Sequence, residues 1–174
     1  PPSPIALTWT SPMVRCFMSQ HLPGVGTATP GRRKSPGNVK HVLTIDSAIV
    51  DAIVAHARRD HPDEACGVVA GPAGSDLPTR LIPMDNAARS MTFYEFDSME
   101  QLRVWREMDD RDEEPVVIYH SHTATEAYPS RTDISYAGEP GAHYLLVSTR
   151  EPHVTEVRAD TIVDGTVTEE PVKV

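Results

Sequence analysis

Two histidines and one aspartate in the second half of the sequence have the residue types and spacing of a metal-binding group. His120 and His122 are separated by one residue, and Asp133 follows His122 by eleven positions. In an extended backbone, residues i and i+2 point to the same side, so both imidazoles can face one ion. Two neutral imidazoles and one carboxylate are a typical ligand set of catalytic zinc sites, which keep a fourth position open. We therefore predict that His120, His122 and Asp133 bind one zinc ion per chain.

A fourth residue, Glu64, has the position of a general base. It follows a predicted helix and directly precedes the apolar segment ACGVVAG. A carboxylate there could accept a proton from a water molecule that attacks a carbonyl group. Cys66 in the same segment is an alternative nucleophile, but a thiol within an apolar strand lacks an activating neighbour. Taken alone, Glu64 is explained as a turn carboxylate and Cys66 as a small buried side chain. Only the joint spacing of the set favours catalysis.

The elements that must position these residues can be predicted from their neighbours. Residues 115–119 (PVVIY) form a compact apolar run that predicts a buried central strand, with His120 at its end. Pro129 and Ser130 open a short helical segment in which Ser130 and Asp133 have the spacing of a capping box. Ser130 alone therefore predicts a helix cap. Asp133 would reach the two histidines from the first turn of that helix.

Two longer helices are predicted to begin at Asp46 and Asp97, because aspartate is a favoured N-cap residue. The first ends at His61-Pro62, since proline disfavours helical backbone in the residue before it. The second runs to about Arg111. Their inward-facing residues are predicted to be Ile49, Val50, Ile53, Val54 and Ala57 in the first helix, and Leu102, Trp105 and Met108 in the second.

The remaining apolar or alternating runs predict strands. They cover residues 41–45, 65–71, 79–83, 93–96, 143–148, 154–158 and 161–168. The last of them contains Asp164-Gly165, a strong two-residue hairpin signal. The order of elements predicts an α/β (α+β) domain in which helices flank a mixed central sheet.

Composition separates residues 1–40 from the predicted domain of residues 41–174. The first 40 residues contain seven prolines, four glycines, five basic residues and no acidic residue. Such a segment predicts a disordered tail or an upstream extension. The remaining residues carry a formal charge of −14, which argues against binding to nucleic acid or to an anionic membrane surface.

Hydropathy and cysteine content give weaker expectations. No apolar run approaches the length of about 18 residues that a membrane helix needs. Cys16 and Cys66 are the two cysteines of the sequence. One lies in the predicted tail and the other in a predicted buried strand, so they do not predict a disulfide framework. We therefore expect a cytoplasmic protein.

The complete motif resembles that of the JAMM (MPN+) metalloprotease family, which combines an upstream glutamate with H-x-H-x7-S-x2-D. Here the motif consists of Glu64 and HSHTATEAYPSRTD, with every position filled. The segments PDEACGVVAG and VVIYHSHTATEAYPSRTD are similar to those of the bacterial branch of the family. The resemblance covers residues 41–174 and implies a JAB1/MPN-type domain with the layered architecture of cytidine deaminases.

The resemblance also implies roles for individual residues. His120, His122 and Asp133 would bind zinc, and Glu64 would move a proton from the attacking water to the leaving amine. Ser130 would donate a hydrogen bond to the oxyanion of the tetrahedral intermediate. In the bacterial members that the chain most resembles, the substrate is a ubiquitin-like sulfur-carrier protein that carries a C-terminal cysteine. Hydrolysis releases L-cysteine for cysteine biosynthesis, and self-association is common among related proteins.

Two alternatives stay open within the same resemblance. The enzyme could act as an isopeptidase or peptidase on another ubiquitin-like conjugate or on a small peptide. A non-catalytic MPN module that only binds a partner is the second alternative, although such relatives lack one or more of the five motif residues. Thr123–Tyr128, which lies between the predicted ligands, is expected to line the substrate groove.

Overall fold

The computed structural model describes residues 42–174, so the predicted tail and Cys16 lie outside the described residues. Within this range the chain forms eight strands and three helices. In chain order they are β1 Leu43–Thr44, α1 Ser47–Asp60, β2 Cys66–Pro72, β3 Arg80–Met84, α2 Ser98–Asp110, β4 Glu113–His122, α3 Arg131–Tyr136, β5 His143–Ser148, β6 Glu156–Val163, β7 Thr166–Glu170 and β8 Val172–Lys173.

The main sheet contains six strands in the order β3-β2-β4-β5-β6-β7. The central pair, β4 and β5, is parallel, whereas the other neighbouring strands are antiparallel. The short strands β1 and β8 form a separate parallel pair. This arrangement confirms the predicted mixed sheet.

The two longer helices cover opposite faces of this sheet. Ile53 and Ala57 of α1 belong to one buried cluster, which includes Leu145 of β5. Val104 and Met108 of α2 belong to a second cluster. Because successive side chains of a strand point to opposite faces, Tyr144 and Leu146 of β5 fall in this second cluster. The layered architecture of helix, sheet and helix is therefore confirmed.

Both predicted N-caps are confirmed. The Asp46 carboxylate accepts a hydrogen bond from the backbone N–H of Ala48, and that of Asp97 accepts from Met99 and Glu100. Such caps satisfy N–H groups that have no partner within the helix, and each contributes about 1 kcal/mol. The first helix ends at Asp60, directly before His61-Pro62, as expected.

Some predicted elements differ from the structure. Residues 93–96 form no strand but an irregular segment with an isolated bridge between Asn86 and Phe96. The Asn86 side chain bonds backbone groups of Phe93 and Glu95, so these groups are not free for a strand ladder. Leu102 is only half-buried, because it lies about 200° around α2 from the buried Val104.

Strand boundaries differ as well. β4 extends through both histidines, because Ser121 and His122 pair with Val147 and Ser148 of β5. The two predicted C-terminal strands are divided differently, since β6 continues through Thr161 to Val163. The hairpin turn at Asp164-Gly165 is confirmed, with φ values of 49° and 74°. No helix among the described residues is long and apolar enough to cross a membrane.

Candidate metal centre and active site

The two histidine side chains lie at the C-terminal end of β4, on the same face of the strand. The Nε2 atoms of His120 and His122 lie 3.1 Å apart. Both residues are buried, with 1% and 5% of their surface exposed. The alternation of strand side chains produces this arrangement, because Ser121 between them points to the other face of the sheet.

Asp133 reaches the same space from α3. Its Oδ2 atom lies 3.3 Å from Nε2 of His122 and 3.5 Å from Nε2 of His120. The helix begins with a capping box, in which the Ser130 hydroxyl accepts from the Asp133 N–H and the Asp133 carboxylate accepts from the Ser130 N–H. The capping box therefore fixes the carboxylate beside the two imidazoles.

The three donor atoms fit a metal ion. The Nδ1 atom of His122 lies 2.9 Å from the carbonyl oxygen of Glu126, so Nδ1 carries the proton and Nε2 is left with a lone pair. This lone pair faces a nitrogen of His120 and a carboxylate oxygen of Asp133. Three such electron-rich atoms repel one another unless a proton or a cation lies between them. The ligand atoms of His120, His122 and Asp133 lie within 4.8 Å of one another and could hold a metal ion.

The protonation of the three side chains favours such an ion. Burial opposes ionisation of Asp133, but hydrogen bonds with His120 and His122 outweigh it and hold the carboxyl pKa far below its ordinary value. Burial lowers the pKa of His120. The pKa of His122 is raised, because hydrogen bonds to Asp133 and the Glu126 carbonyl outweigh its burial. An ionised carboxylate and a neutral His120 are therefore favoured near neutral pH.

Glu64 lies in the connection between α1 and β2 and is only 5% exposed. Burial raises the pKa of its carboxyl to about 7, the charge of His122 lowers it, and that of Asp133 raises it again. Its side chain is thus near enough to both residues to interact with them electrostatically. A carboxyl group whose pKa is close to neutral can both accept and donate a proton.

Backbone hydrogen bonds fix Glu64 relative to the histidines. Its N–H donates to the carbonyl of Ser90, and its carbonyl accepts from the Asn86 side chain. The next residue, Ala65, exchanges two hydrogen bonds with Ser121. The sequence prediction did not include Asn86 or Ser121, because such side-chain contacts to distant backbone have no sequence pattern.

Tyr94 is a further residue that sequence reasoning missed. Its ring stacks on the His120 imidazole, with centroids 4.6 Å apart and planes inclined by 25°. The sequence predicts a strand for the segment that carries Tyr94, and a strand there does not indicate contact with a predicted ligand. The only sequence signal for it is the cluster of aromatic residues Phe93, Tyr94 and Phe96.

A cavity of about 400 Å³ adjoins Asp133. Its walls combine aromatic residues with polar ones. The aromatic residues are Phe93, Tyr94, Phe96, Trp105, Tyr136 and Tyr144. The segment Thr123–Tyr128 does not contribute to these walls, although Tyr128 is 43% exposed. The walls come instead from the irregular segment before α2, from α2, from α3 and the residues after it, and from Ile118 of β4 and Tyr144 of β5.

Cys66 is a poor nucleophile in this structure. The side chain is fully buried, and burial raises the pKa of its thiol to about 12. Because the thiolate is the reactive form of cysteine, this environment argues against the alternative of a cysteine hydrolase.

The sequence matches the family model described as prokaryotic homologues of the JAB domain over residues 46–161. This range includes Glu64, His120, His122, Ser130 and Asp133. The chain belongs to the prokaryotic JAB family. The predicted family and fold class are therefore confirmed.

Relatives of known activity place this JAB protein among hydrolases. It is 71% identical over 134 residues to the CysO-cysteine peptidase of Mycobacterium tuberculosis, and this range covers 77% of the chain and 92% of the relative. It is 36% identical to the desampylase of Haloferax volcanii, over 61% of the chain and 80% of the relative. The prediction of a hydrolase is thus confirmed.

A solved structure is similar to this chain over most of its length. A protein of Desulfitobacterium hafniense has 31% identity and a TM-score of 0.65, over 74% of this chain and 90% of the other. The similarity supports the fold on which the site is built.

Proposed function

We propose that this JAB protein is a zinc-dependent peptidase that hydrolyses the bond between the C-terminal glycine of a ubiquitin-like sulfur carrier and a cysteine. The observation that carries the proposal is the convergence of His120, His122 and Asp133 beside the buried Glu64. A binding module needs no such group, and buried ionisable residues are costly unless they are used or paired.

The metal would be zinc, one ion per chain, held by Nε2 of His120, Nε2 of His122 and the Asp133 carboxylate. Two imidazoles and one carboxylate with an open fourth position are a ligand set of zinc hydrolases. When bound, zinc supplies Lewis acidity, which polarises a carbonyl group and lowers the pKa of water towards about 7.

Glu64 would serve as the general base and then as the general acid. Its carboxylate accepts a proton from the attacking water, whose oxygen bonds to the glycine carbonyl carbon. As the carbon–nitrogen bond breaks, Glu64 donates that proton to the nitrogen of the leaving cysteine. A pKa of about 7 suits both steps.

Ser130 would stabilise the oxyanion that forms on the glycine carbonyl. Its oxygen accepts a hydrogen bond from the Asp133 N–H, which leaves its O–H free to donate towards the substrate. Comparable donors contribute about 10²- to 10³-fold to the rate. The same serine thus caps α3 and supplies a donor, so its capping role does not argue against catalysis.

The substrate class is supported by the relatives. The proteins at 71% identity are named for CysO-cysteine, and the motif resemblance implies a ubiquitin-like sulfur carrier. An extended carrier tail has access to Asp133 through the cavity of about 400 Å³. We propose that this cavity, rather than Thr123–Tyr128, receives the tail.

The decisive experiment is incubation of the purified protein with a carrier–cysteine conjugate, followed by mass spectrometry. We expect free cysteine and a carrier shortened by one cysteine, with about one zinc per chain. Two control conjugates identify which part of the substrate is recognised. One is the same carrier ending in alanine, and the other is a different ubiquitin-like protein ending in cysteine. Binding of the conjugate without any cleavage would refute the peptidase and favour the non-catalytic module.

A further inference from the structure

The side-chain amide of Asn86 uses its full hydrogen-bonding capacity. Its Nδ2 donates to the carbonyl of Glu64 at 2.9 Å and to that of Phe93 at 3.0 Å. Its Oδ1 accepts from the N–H of Ala88 at 3.0 Å and from that of Glu95 at 3.2 Å. A primary amide has two donors and can accept twice, so all four bonds are made within the protein.

These bonds connect the proposed base to the segment that borders the metal group. The carbonyl of Glu64 is held by Asn86, and its N–H is held by Ser90. Both backbone groups of Glu64 are therefore bound to residues 86–90. The same amide holds Phe93 and Glu95 on either side of Tyr94, the residue that stacks on His120. Asn86 is thus the one described side chain that bonds both to Glu64 and to the residues flanking Tyr94.

We propose that Asn86 is a positioning residue for Glu64, fixing its main chain at the distance from the metal group that proton transfer requires. The inference rests on the proposed role of Glu64. Proton transfer needs the base within hydrogen-bond reach of the proton it removes. A displacement of about 1 Å can reduce a rate about 10²-fold.

Asn86→Asp is the sharpest variant, because it keeps the acceptor for Ala88 and Glu95 but removes the donor to Glu64 and Phe93. We expect kcat to fall about 10- to 100-fold, with KM and zinc affinity each within about threefold of the wild type. Ser75→Ala is a matched control, because it removes a hydrogen bond to the Pro72 carbonyl in the β2–β3 connection. We expect its kcat to be unchanged.

Asn86→Gln provides a second variant if the aspartate disrupts folding. It keeps the amide but adds one methylene group, so it displaces the four bonds without burying a charge. We expect a smaller loss of kcat with the same unchanged KM. A rise of KM at constant kcat in either variant would overturn the proposal. Such a result would mean that Asn86 supports substrate binding, by holding Phe93 in the cavity wall.

A double-mutant cycle separates positioning of the base from a general structural role. In the Glu64→Gln background, Asn86→Asp should reduce the residual kcat less than twofold, because the group that it positions has been removed. A loss as large as in the wild-type background would contradict the inference.

Hydrogen exchange of the zinc-free protein tests the same contact without catalysis. The Glu64 and Ala65 amides should exchange at least about tenfold faster in Asn86→Asp than in Ser75→Ala. Unchanged exchange would overturn the inference. Failure of the wild type to cleave the carrier conjugate, with these amides still responding, would instead reject the proposed substrate.

Discussion

The Ser121 hydroxyl accepts a hydrogen bond from the backbone N–H of Ala65, at 2.8 Å. In return, the N–H of Ser121 donates to the carbonyl of Ala65 at 2.9 Å. Ser121 lies between the two histidines, and Ala65 follows Glu64. This reciprocal pair therefore joins the strand that carries two of the proposed metal ligands to the residue next to the proposed base.

Ser121→Ala should destabilise the protein and slow catalysis. The substitution leaves the buried N–H of Ala65 without its side-chain acceptor, which costs about 1–3 kcal/mol. We expect a free energy of unfolding reduced by about that amount in urea titrations, and a kcat reduced several-fold. Ser135→Ala, which removes an exposed hydrogen bond to Thr132, should change neither quantity appreciably. Equal behaviour of the two variants would show that the Ser121 bond has no effect.

Glu64→Gln should retain zinc but lose turnover. The amide cannot accept a proton, and general base catalysis typically contributes about 10²- to 10⁴-fold. Metal content can be measured by mass spectrometry of the intact protein, and turnover by release of cysteine. Glu151→Gln, an exposed carboxyl substitution, should leave both unchanged. Full activity in Glu64→Gln would exclude this residue as the base.

Zinc affinity should fall as the pH decreases, and the fall should begin above the ordinary imidazole pKa of about 6.5, because the pKa of His122 is raised. Metal binding requires neutral imidazoles, so protons compete with the ion. His122, whose pKa is raised by Asp133 and Glu126, should protonate before His120, whose pKa is lowered by burial. Asp133 stays ionised throughout, so the two imidazoles are the proposed ligands that titrate in this range. Competition with a coloured chelator from pH 5 to 8 measures the effect, with His153→Gln as an exposed control. A constant affinity would argue against imidazole ligands.

Tyr94→Leu should weaken zinc binding about 3- to 10-fold. The Nδ1 atom of His120 has no hydrogen-bond partner among the described residues, whereas metal-binding histidines usually have their second nitrogen held by one. Stacking of Tyr94 must therefore help to orient the ring, and such aromatic contacts contribute about 0.5–1.5 kcal/mol. Tyr94→Phe keeps the stacking ring and should bind zinc like the wild type. Identical affinities of all three proteins would refute this role.

Asp160→Asn should stabilise the protein at neutral pH. Asp160 is fully buried, and neither carboxylate oxygen has a hydrogen-bond partner among the described residues. Burial, followed by the charge of Glu169, raises its pKa from 3.8 to about 6. A folded-state pKa above the unfolded value stabilises the fold at low pH, and this stabilisation is lost as the pH rises through about 6.

The stabilisation by Asp160→Asn should therefore depend on pH. We expect a gain on the order of 2 kcal/mol at pH 7.5 and almost none near pH 4, from the ordinary energy of about 1.4 kcal/mol for each pKa unit. Urea titrations of the zinc-free proteins at several pH values measure the difference from the wild type. Glu169→Gln removes the neighbouring charge that raises the Asp160 pKa, so it should give a smaller gain than Asp160→Asn. A gain that is independent of pH would show that the raised pKa of Asp160 is not its cause.

Local signals predicted much of the fold. Asp46 and Pro62 delimit α1, and Asp164-Gly165 marks the hairpin, because caps, prolines and tight turns act on adjacent residues. The apolar run of residues 115–119 identified the central strand for a similar reason. The length of β4 could not be predicted, because Ser121 and His122 owe their extended backbone to pairing with β5.

The candidate site depends more strongly on contacts between distant segments. The motif indicated which residues belong together, but the approach of Glu64 to the histidines follows from the pairing of Cys66 with His120 between β2 and β4. Asn86 and Tyr94 could not be predicted, since an amide that bonds four backbone groups and a ring that stacks on an imidazole have no characteristic spacing.

A single oxygen atom of Asp133 serves two purposes. Its Oδ2 accepts the Ser130 N–H at 2.6 Å, at the start of α3, and also faces both imidazoles. Any substitution of Asp133 therefore alters the start of a six-residue helix together with the coordination of the ion. A loss of function on substitution at this position therefore reflects changes both at the start of α3 and in metal binding. At this residue, one side-chain atom contributes both to the folding of α3 and to the proposed metal site.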